Sequence, residues 1–308
     1  MTDGIELLAG FLAAAVRVAT PLLLAATGET ISERGGVINL GIEGSMLAGA
    51  LAAAIGSSAG GPWSGLAAAL IAGATLAAVF ALVSVHAGAD QIIAGTAITL
   101  GAVGLTGAVY RAYYGTAGAG LSIPTLAPVE VPVLAEIPLL GAALFAQPLT
   151  TYFAVALVPV TWWYLFRTRG GLALRAAGES ADGARAAGVR VRATRTLAVV
   201  AGGALAGLAG ATLVLAQVGT FSERMTAGRG FIAIAIVVLG RWHPGGVLVA
   251  ALFFGAATAL QFVFQASGTA VPYQLFLMLP YVLALLGLAG AVGRVRAPRD
   301  LGRPERAS

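Results

Sequence analysis

The sequence contains neither cysteine nor lysine: the cysteine count is zero, and all 18 basic residues are arginine. Without cysteine the chain has no disulfide, no thiolate nucleophile and no cysteine-ligated metal. Without lysine it lacks the residue with which a standard Walker A loop reaches the phosphates of ATP. We therefore expect this chain to bind no cofactor, and any ATP and Mg that it depends on to be bound by a partner protein.

Charge and histidine are also scarce. Only 10% of the residues are charged, whereas a soluble domain averages about 25%. The hydrophobic fraction is 58% and the mean hydropathy is +0.90, so the composition is that of a membrane protein. His86 and His243, the two histidines, lie far apart, and no H-E-x-x-H motif is present. An intramembrane enzyme is therefore a weak alternative.

Long apolar stretches dominate what is present. A helix needs roughly 20 apolar residues to cross the hydrocarbon core, and helices are the open-chain structures that satisfy backbone groups in lipid. The pattern predicts an all-α transmembrane bundle of about eight to ten spans, with residues 1–308 forming a single transmembrane domain. The apolar segments are 5–27, 37–57, 62–85, 91–110, 148–166, 196–217, 230–240, 246–266 and 272–292. Segment 230–240 is too short to span and predicts a short or broken helix.

The arginines predict an orientation. They cluster in 167–195 and in the tail 293–308, and alternating spans place 14 of the 18 on one side. Because cytoplasmic loops carry excess positive charge, we expect both regions and the C-terminus to be cytoplasmic. The N-terminus and the loop 111–147 are then extracytoplasmic. This distribution explains the basic charge without a nucleic-acid partner and predicts a multi-pass membrane protein.

Several polar residues lie inside or at the ends of apolar segments. Asn39 and Glu43 are four residues apart in segment 37–57, so they are expected to share one helical face. An ionisable residue in a span usually faces the bundle interior or water. Glu43 therefore either lines a substrate pathway with Asn39, or pairs locally with Arg34 or a backbone group. For the side chains of Gln91, Thr96 and Gln217 the sequence likewise allows two roles, a contact with substrate or a local hydrogen bond.

The loop 167–195 contains a short predicted helix, Ala181 to Ala187. Ser180 is a good N-cap, Asp182 suits the positive end of the helix, and Gly188 is a good left-handed stop. Two turns cannot be stable alone in water, so this helix must dock on something. A motor subunit that grips it is one possibility, and an ordinary basic loop is the other.

Four blocks in this order resemble the inner-membrane permeases of ABC importers for nucleosides and simple sugars, a superfamily that includes branched-chain amino acid permeases. The blocks are "SERGGVINLGIEG" at 32–44, "DQIIAGTAITLGAVGLTG" at 90–107, "LRAAGESADGARAAGV" at 174–189 followed by "AGGALAGLAGA" at 201–211, and "GRGFIAIAIVVLGRWHPGG" at 228–246. The resemblance is strongest to the nucleoside branch.

The resemblance implies three protein partners: an ABC ATPase subunit, a second related permease that forms a heterodimer, and a substrate-binding lipoprotein. The helix that couples the permease to the ATPase maps onto about 180–188. Its residues are Ser180, Ala181, Asp182, Gly183, Ala184, Arg185, Ala187 and Gly188.

The expected function is therefore ATP-driven nucleoside import. Simple sugars and branched-chain amino acids are alternative substrates. The alternative from another class is a secondary transporter driven by an ion gradient, with Glu43 as the proton carrier. The apparent absence of other acids within the spans argues against it, because proton relays usually use several.

Overall fold

The computed structural model describes residues 2–115, 123–137, 139–266 and 297–303, together with positions 278, 282 and 285. The helices are α1 Thr2–Arg34, α2 Ile42–Gly60, α3 Pro62–Ala81, α4 Gln91–Tyr114, α5 Leu149–Arg167, α6 Arg169–Glu179, α7 Ala181–Ala186, α8 Val191–Thr212, α9 Arg229–Leu239 and α10 Pro244–Ala266. Three π-helical turns accompany them: Leu82–His86 extends α3, Leu213–Val218 extends α8, and Gly141–Phe145 precedes α5. The short strands β1 Pro128–Glu130 and β2 Ala146–Pro148 pair antiparallel in the loop between α4 and α5.

The fold class predicted from the sequence is confirmed. Within the described residues, seven helices are long and apolar enough to cross a membrane: α1, α2, α3, α4, α5, α8 and α10. Helix α9 is apolar but has only 11 residues, as the short segment 230–240 predicts. Most of the predicted segment 272–292 and of the tail 293–308 lies outside the described residues.

Helix α8 lies at the centre of the bundle, in contact with α1, α2 and α3. Glycines on α8 make these contacts close. A methyl group on Gly207 would overlap the Ala69 carbonyl oxygen of α3, and Gly49 of α2 lies directly against Gly207. Such small residues let helix backbones approach and pack by van der Waals contact in lipid.

The junction between α1 and α2 differs from the sequence prediction. Helix α1 continues to Arg34 and is followed by a turn at Gly36, which has the left-handed φ of +92° that favours glycine. Helix α2 begins only at Ile42, so Asn39 lies in the connection between the helices. The prediction that Asn39 and Glu43 share one helical face is therefore wrong. The polar run 29–34 resembles a loop, but it is helical because tertiary contacts bury its carboxyl groups.

Helix α6 was not predicted. Its buried residues Gly171, Leu174, Ala177 and Gly178 recur every three or four positions, and the Thr168 hydroxyl caps it by accepting from the Gly171 N–H. The helix is amphipathic but has a low overall hydrophobicity, so a search for long apolar segments misses it. The region 167–195 thus consists of α6, α7 and the start of α8, which pack on one end of the bundle. We call this the α6–α7 end.

Candidate functional site

Helix α9 is a half-helix inside the bundle. Eleven residues give a length of about 16 Å, roughly half of a hydrocarbon core about 30 Å thick. The turn after α9 is fixed to the α6–α7 end of α1, where the Trp242 indole N–H donates to Glu33 Oε2 and Arg34 Nε donates to the Trp242 carbonyl oxygen at 2.8 Å. The N-terminus of α9 therefore lies about midway through the bundle.

The segment 219–228 connects the far end of α8 to the N-terminus of α9 without regular structure. Arg224 and Ala227 have left-handed φ angles of 59° and 48°, which are uncommon for residues other than glycine. Gly219 and Gly228 have φ angles of 74° and 82°. These conformations fold the segment back on itself, so that α9 starts within the bundle.

Much of this segment is exposed on the surface of the single chain. Ser222, Glu223, Arg224 and Ala227 are exposed, and Glu223 Oε1 accepts from Arg111 Nη1 of α4 at 2.8 Å. Non-helical backbone at membrane depth is tolerated where it is buried in protein or lines a water-filled cavity. The face formed by segment 219–228 and the end of α4 is thus a candidate path for a polar solute, or a surface that another subunit covers.

Glu43 anchors the N-terminus of α9. The side chain is buried; its Oε1 accepts from the Thr226 hydroxyl at 2.7 Å and from the Gly228 N–H at 2.8 Å, and its Oε2 accepts from the Gly230 N–H at 2.6 Å. The two N–H groups are donors that a helix leaves unsatisfied at its start, and the negative charge complements the positive end of the helix. Of the two local pairings predicted, Glu43 makes the one with backbone groups and not the one with Arg34.

Asn39 and Gln91 lie together at the α6–α7 end. The Asn39 N–H donates to Glu29 Oε1 at 2.8 Å, and its buried side-chain Oδ1 has no partner among the described residues. Gln91, the first residue of α4, accepts from the Ile38 N–H at 2.8 Å. Both residues thus shape the connection between α1 and α2.

Thr96 and Gln217 lie apart from that connection and from Glu43. The exposed Thr96 hydroxyl donates to the Ile92 carbonyl oxygen within its own helix, at 2.8 Å. Gln217, near the far end of α8, donates to the Arg17 carbonyl oxygen at 2.7 Å. The five residues predicted for the substrate pathway therefore do not converge on one surface, and Glu43 is the one that contacts α9.

Two further buried acids, Glu29 and Glu33, were missed from the sequence. They lie one helical turn apart on α1, are 0% and 1% exposed, and their carboxyl groups interact electrostatically. Glu29 accepts from the Asn39 N–H, and Glu33 from the Trp242 indole. The remaining oxygens, Glu29 Oε2 and Glu33 Oε1, have no partner among the described residues. The spacing of four residues between these acids could have indicated a shared helical face. The sequence prediction ended the first apolar segment at residue 27, so residues 28–36 were not considered helical.

Helix α7 has the predicted caps. The Ser180 hydroxyl accepts from the Gly183 N–H at 3.1 Å, and Gly188 has a φ of +83°. The helix ends at Ala186, one residue before the predicted end, and Ala187 is its C-cap. A residue far away in the sequence adds a second cap, because Asp300 Oδ2 accepts from the Ala181 N–H at 2.7 Å.

One face of α7 docks on its own chain and the other is free. Ala184 is 4% exposed and packs among Ala177 of α6 and Val191 of α8. The opposite face consists of the exposed residues Asp182, Gly183, Ala186 and Ala187. The docking that so short a helix requires is thus internal, and a small-residue face remains available to a partner.

The described residues hold no group of three or more His, Cys, Asp or Glu side chains that suits a metal ion. The buried acids Glu29, Glu33 and Glu43 accept hydrogen bonds from backbone, indole and hydroxyl donors.

The chain matches known permeases over most of its length. It is 35% identical over 312 residues to the guanosine ABC transporter permease protein NupQ of Bacillus subtilis, covering 98% of each chain. It is 33% identical to the nucleoside ABC transporter permease protein NupC of Lactococcus lactis, over 92% of each chain. It is 42% identical to the putative glucose ABC transporter permease protein TsgC13 of Haloferax volcanii, over 82% of this chain and 77% of the relative. No solved structure matches the chain. Residues 11–288 match the model of one family, and the chain therefore belongs to the family described as branched-chain amino acid transport system / permease component.

Proposed function

We propose that this chain is the membrane-spanning permease subunit of an ATP-driven importer of nucleosides. The observation that carries the proposal is the half-helix α9, whose N-terminus is held inside the bundle by Glu43 next to the exposed irregular segment 219–228. A structure of this kind suits a pathway for a polar solute through lipid.

Nucleosides are the favoured substrate class. Two of the relatives are named for guanosine and for nucleosides, and the third for glucose. All of these are uncharged polar solutes, which suit a face that combines hydroxyl groups, backbone and the neutralised pair Arg111–Glu223. Glucose and related sugars are the second substrate class.

Energy is supplied by a separate ATPase subunit that contacts α7. The exposed face of α7 is made of small residues and one ion pair, Asp182–Arg185 at 2.6 Å. Closure of the ATPase on ATP pushes α7, and the bundle rocks so that the face of segment 219–228 opens to one side of the membrane and then to the other. In this arrangement the arginine-rich α6–α7 end is cytoplasmic. A second permease and a substrate-binding lipoprotein complete the importer.

The test places a bulky charge on the exposed face of α7. Ala184 is unsuitable, because it is buried and its replacement breaks internal packing. Ala186→Glu changes an exposed residue, so we expect ATP-dependent guanosine uptake in vesicles with all subunits to fall about tenfold or more, with unchanged amounts of permease in the membrane.

Ala59→Glu is the matched control, since Ala59 is an exposed alanine at the opposite end of the bundle, and its uptake is expected to stay at the wild-type level. Normal uptake by Ala186→Glu would contradict the assignment of α7. Competition by unlabelled guanosine, glucose and leucine distinguishes the substrate classes.

The acids Glu29 and Glu33 bear on the ion-driven alternative. The sequence argument against it relied on Glu43 being the one acid within the spans, and the structure adds two more inside α1. Uptake that persists after ATP depletion and stops when the proton gradient is collapsed would establish that alternative and overturn the ATP-driven one.

A further inference from the structure

The C-terminal segment 297–303 lies against the α6–α7 end, and we call it the clasp. Pro298 is buried, and Leu301 packs against the central apolar core. The clasp follows segment 272–296 in the sequence, and its hydrogen bonds are with α4, α6, α7 and the connection between α1 and α2. Those contacts need an explanation, since a solvated arginine-rich tail would make none of them.

Asp300 fixes the clasp to the start of α7. Its Oδ2 accepts from the Ala181 N–H at 2.7 Å, and its own N–H donates to the Gly178 carbonyl oxygen at the end of α6, at 2.9 Å. Its Oδ1 accepts from Arg303 Nη1 at 3.1 Å, so both carboxylate oxygens are used. A charged acceptor at the first N–H of a helix is a strong cap.

The other end of the clasp is fixed to the transmembrane helices. The Gly302 N–H donates to the Gly36 carbonyl oxygen at 3.2 Å, in the connection between α1 and α2. The Arg303 carbonyl oxygen accepts from Gln91 Nε2 at 3.4 Å, and the same Gln91 side chain accepts from the Ile38 N–H. The clasp is therefore hydrogen-bonded to α7 on one side, and to the α1–α2 connection and the start of α4 on the other.

These contacts continue to the candidate pathway. The α1–α2 connection, which the clasp contacts at Gly36, leads directly into Ile42 and Glu43 at the start of α2. Glu43 holds the N-terminus of α9. By contrast, α7 itself docks through the small side chain of Ala184 on α6 and α8.

We infer that the clasp is a mechanical link that transmits movement of α7 to the ends of α1, α2 and α4, and that Asp300 is the residue that positions α7 for coupling. This inference rests on the proposed function, in which an ATPase pushes α7. It assigns a role to a tail that the sequence presents as a topology-setting basic segment.

Asp300→Ala in the complete importer is the first test. We expect uptake per ATP hydrolysed to fall about tenfold, because a hydrogen bond to a charged group is lost at the link, while ATP hydrolysis and the amount of permease in the membrane stay close to wild type. The control Glu136→Ala removes a carboxylate from an exposed position in the loop between α4 and α5 and leaves both α7 and the clasp intact, so its uptake per ATP is expected to be unchanged.

A disulfide provides a rescue experiment, because the chain has no cysteine of its own. In Ala181→Cys/Asp300→Cys the reduced protein lacks the carboxylate and is expected to be uncoupled. Oxidation joins α7 to the clasp covalently, and coupling is expected to return. Ala181→Cys alone should respond to neither treatment. A double variant that stays coupled when reduced, or stays uncoupled when its disulfide has formed, contradicts the inference.

Hydrogen exchange of the purified permease separates this inference from the proposed function, because it needs no ATPase. Asp300→Ala is expected to speed exchange of the amides of Ala181–Ala186. Unchanged exchange overturns the link even in a working importer. If the wild-type importer shows no ATP-dependent uptake while Asp300→Ala still exchanges faster than wild type, the proposed function is overturned and the physical link remains.

Discussion

Two buried carboxyl sites lie close together in the sequence but differ in how their hydrogen bonds are satisfied. Glu43 receives three donors on its two oxygens, and two of them are backbone N–H groups at the start of α9. Glu29 and Glu33 receive one donor each, and each keeps one oxygen without a partner among the described residues.

This difference in hydrogen bonding indicates the protonation state in which each site is satisfied. Glu43 is fully satisfied as an anion, so its charge is part of the structure that holds α9 inside the bundle. The Glu29–Glu33 pair is satisfied when one carboxyl carries a proton, since two neighbouring carboxylates repel and a protonated carboxyl supplies the missing donor. Each site then holds one negative charge: at Glu43 three donors stabilise it, whereas in the Glu29–Glu33 pair one proton joins the two carboxyl groups and removes the repulsion between them.

The largest effect is expected at Glu43. In Glu43→Gln one oxygen becomes an NH₂ group, which points a donor at a donor and leaves a buried N–H without an acceptor. This costs about 2–3 kcal/mol, so we expect a lower melting temperature of the purified permease and uptake reduced more than about tenfold.

Thr226→Val is the matched control for that variant, because it removes one of the three donors and keeps the carboxylate and its two backbone bonds. Its cost is expected to be about 1 kcal/mol. Wild-type melting and uptake in Glu43→Gln would show that the charge has no structural role.

The same comparison shows what the sequence predicts well. The membrane class, the short helix α9 and the caps of α7 at Ser180 and Gly188 follow from local patterns: apolar length, an N-cap residue and a glycine stop. Each of these depends on residues near one another in the chain, so no knowledge of the fold is needed.

What the sequence misses depends on distant contacts. The acids of α1 look like a polar loop until Trp242 and the Asn39 backbone are seen to bind them. Thr226, which donates to Glu43, is 183 residues away from it in the sequence, and the two backbone donors are farther still. Asp300, which caps α7, is 119 residues away from Ala181. No local pattern contains these pairings, and the assignment of Asn39 to a helical face failed for the same reason.

An intermediate effect is expected at Trp242. Trp242→Phe removes the indole donor of Glu33 and leaves a second buried carboxyl oxygen without a partner, at a cost of about 1–3 kcal/mol. Thermal melting of the purified permease measures it. Trp63→Phe is the matched control, since Trp63 is 65% exposed and its replacement is expected to leave melting unchanged. Equal melting of both variants would show that the Glu33–Trp242 contact does not stabilise the turn after α9.

The smallest effect is expected at the acid pair itself. In Glu29→Gln or Glu33→Gln, an NH₂ group replaces the shared proton as the donor between the two side chains. We therefore expect melting within about 1 kcal/mol of wild type and near-normal ATP-dependent uptake, in contrast to the same change at Glu43.

The outcome also decides between the two energy sources. If the pair carried protons across the membrane, a glutamine could not release one, and uptake would stop although the protein melts normally. Loss of uptake with unchanged melting would therefore contradict the static role argued for this pair and favour proton coupling. Normal uptake in both single variants would leave the clasp and α7 as the route by which energy enters the bundle.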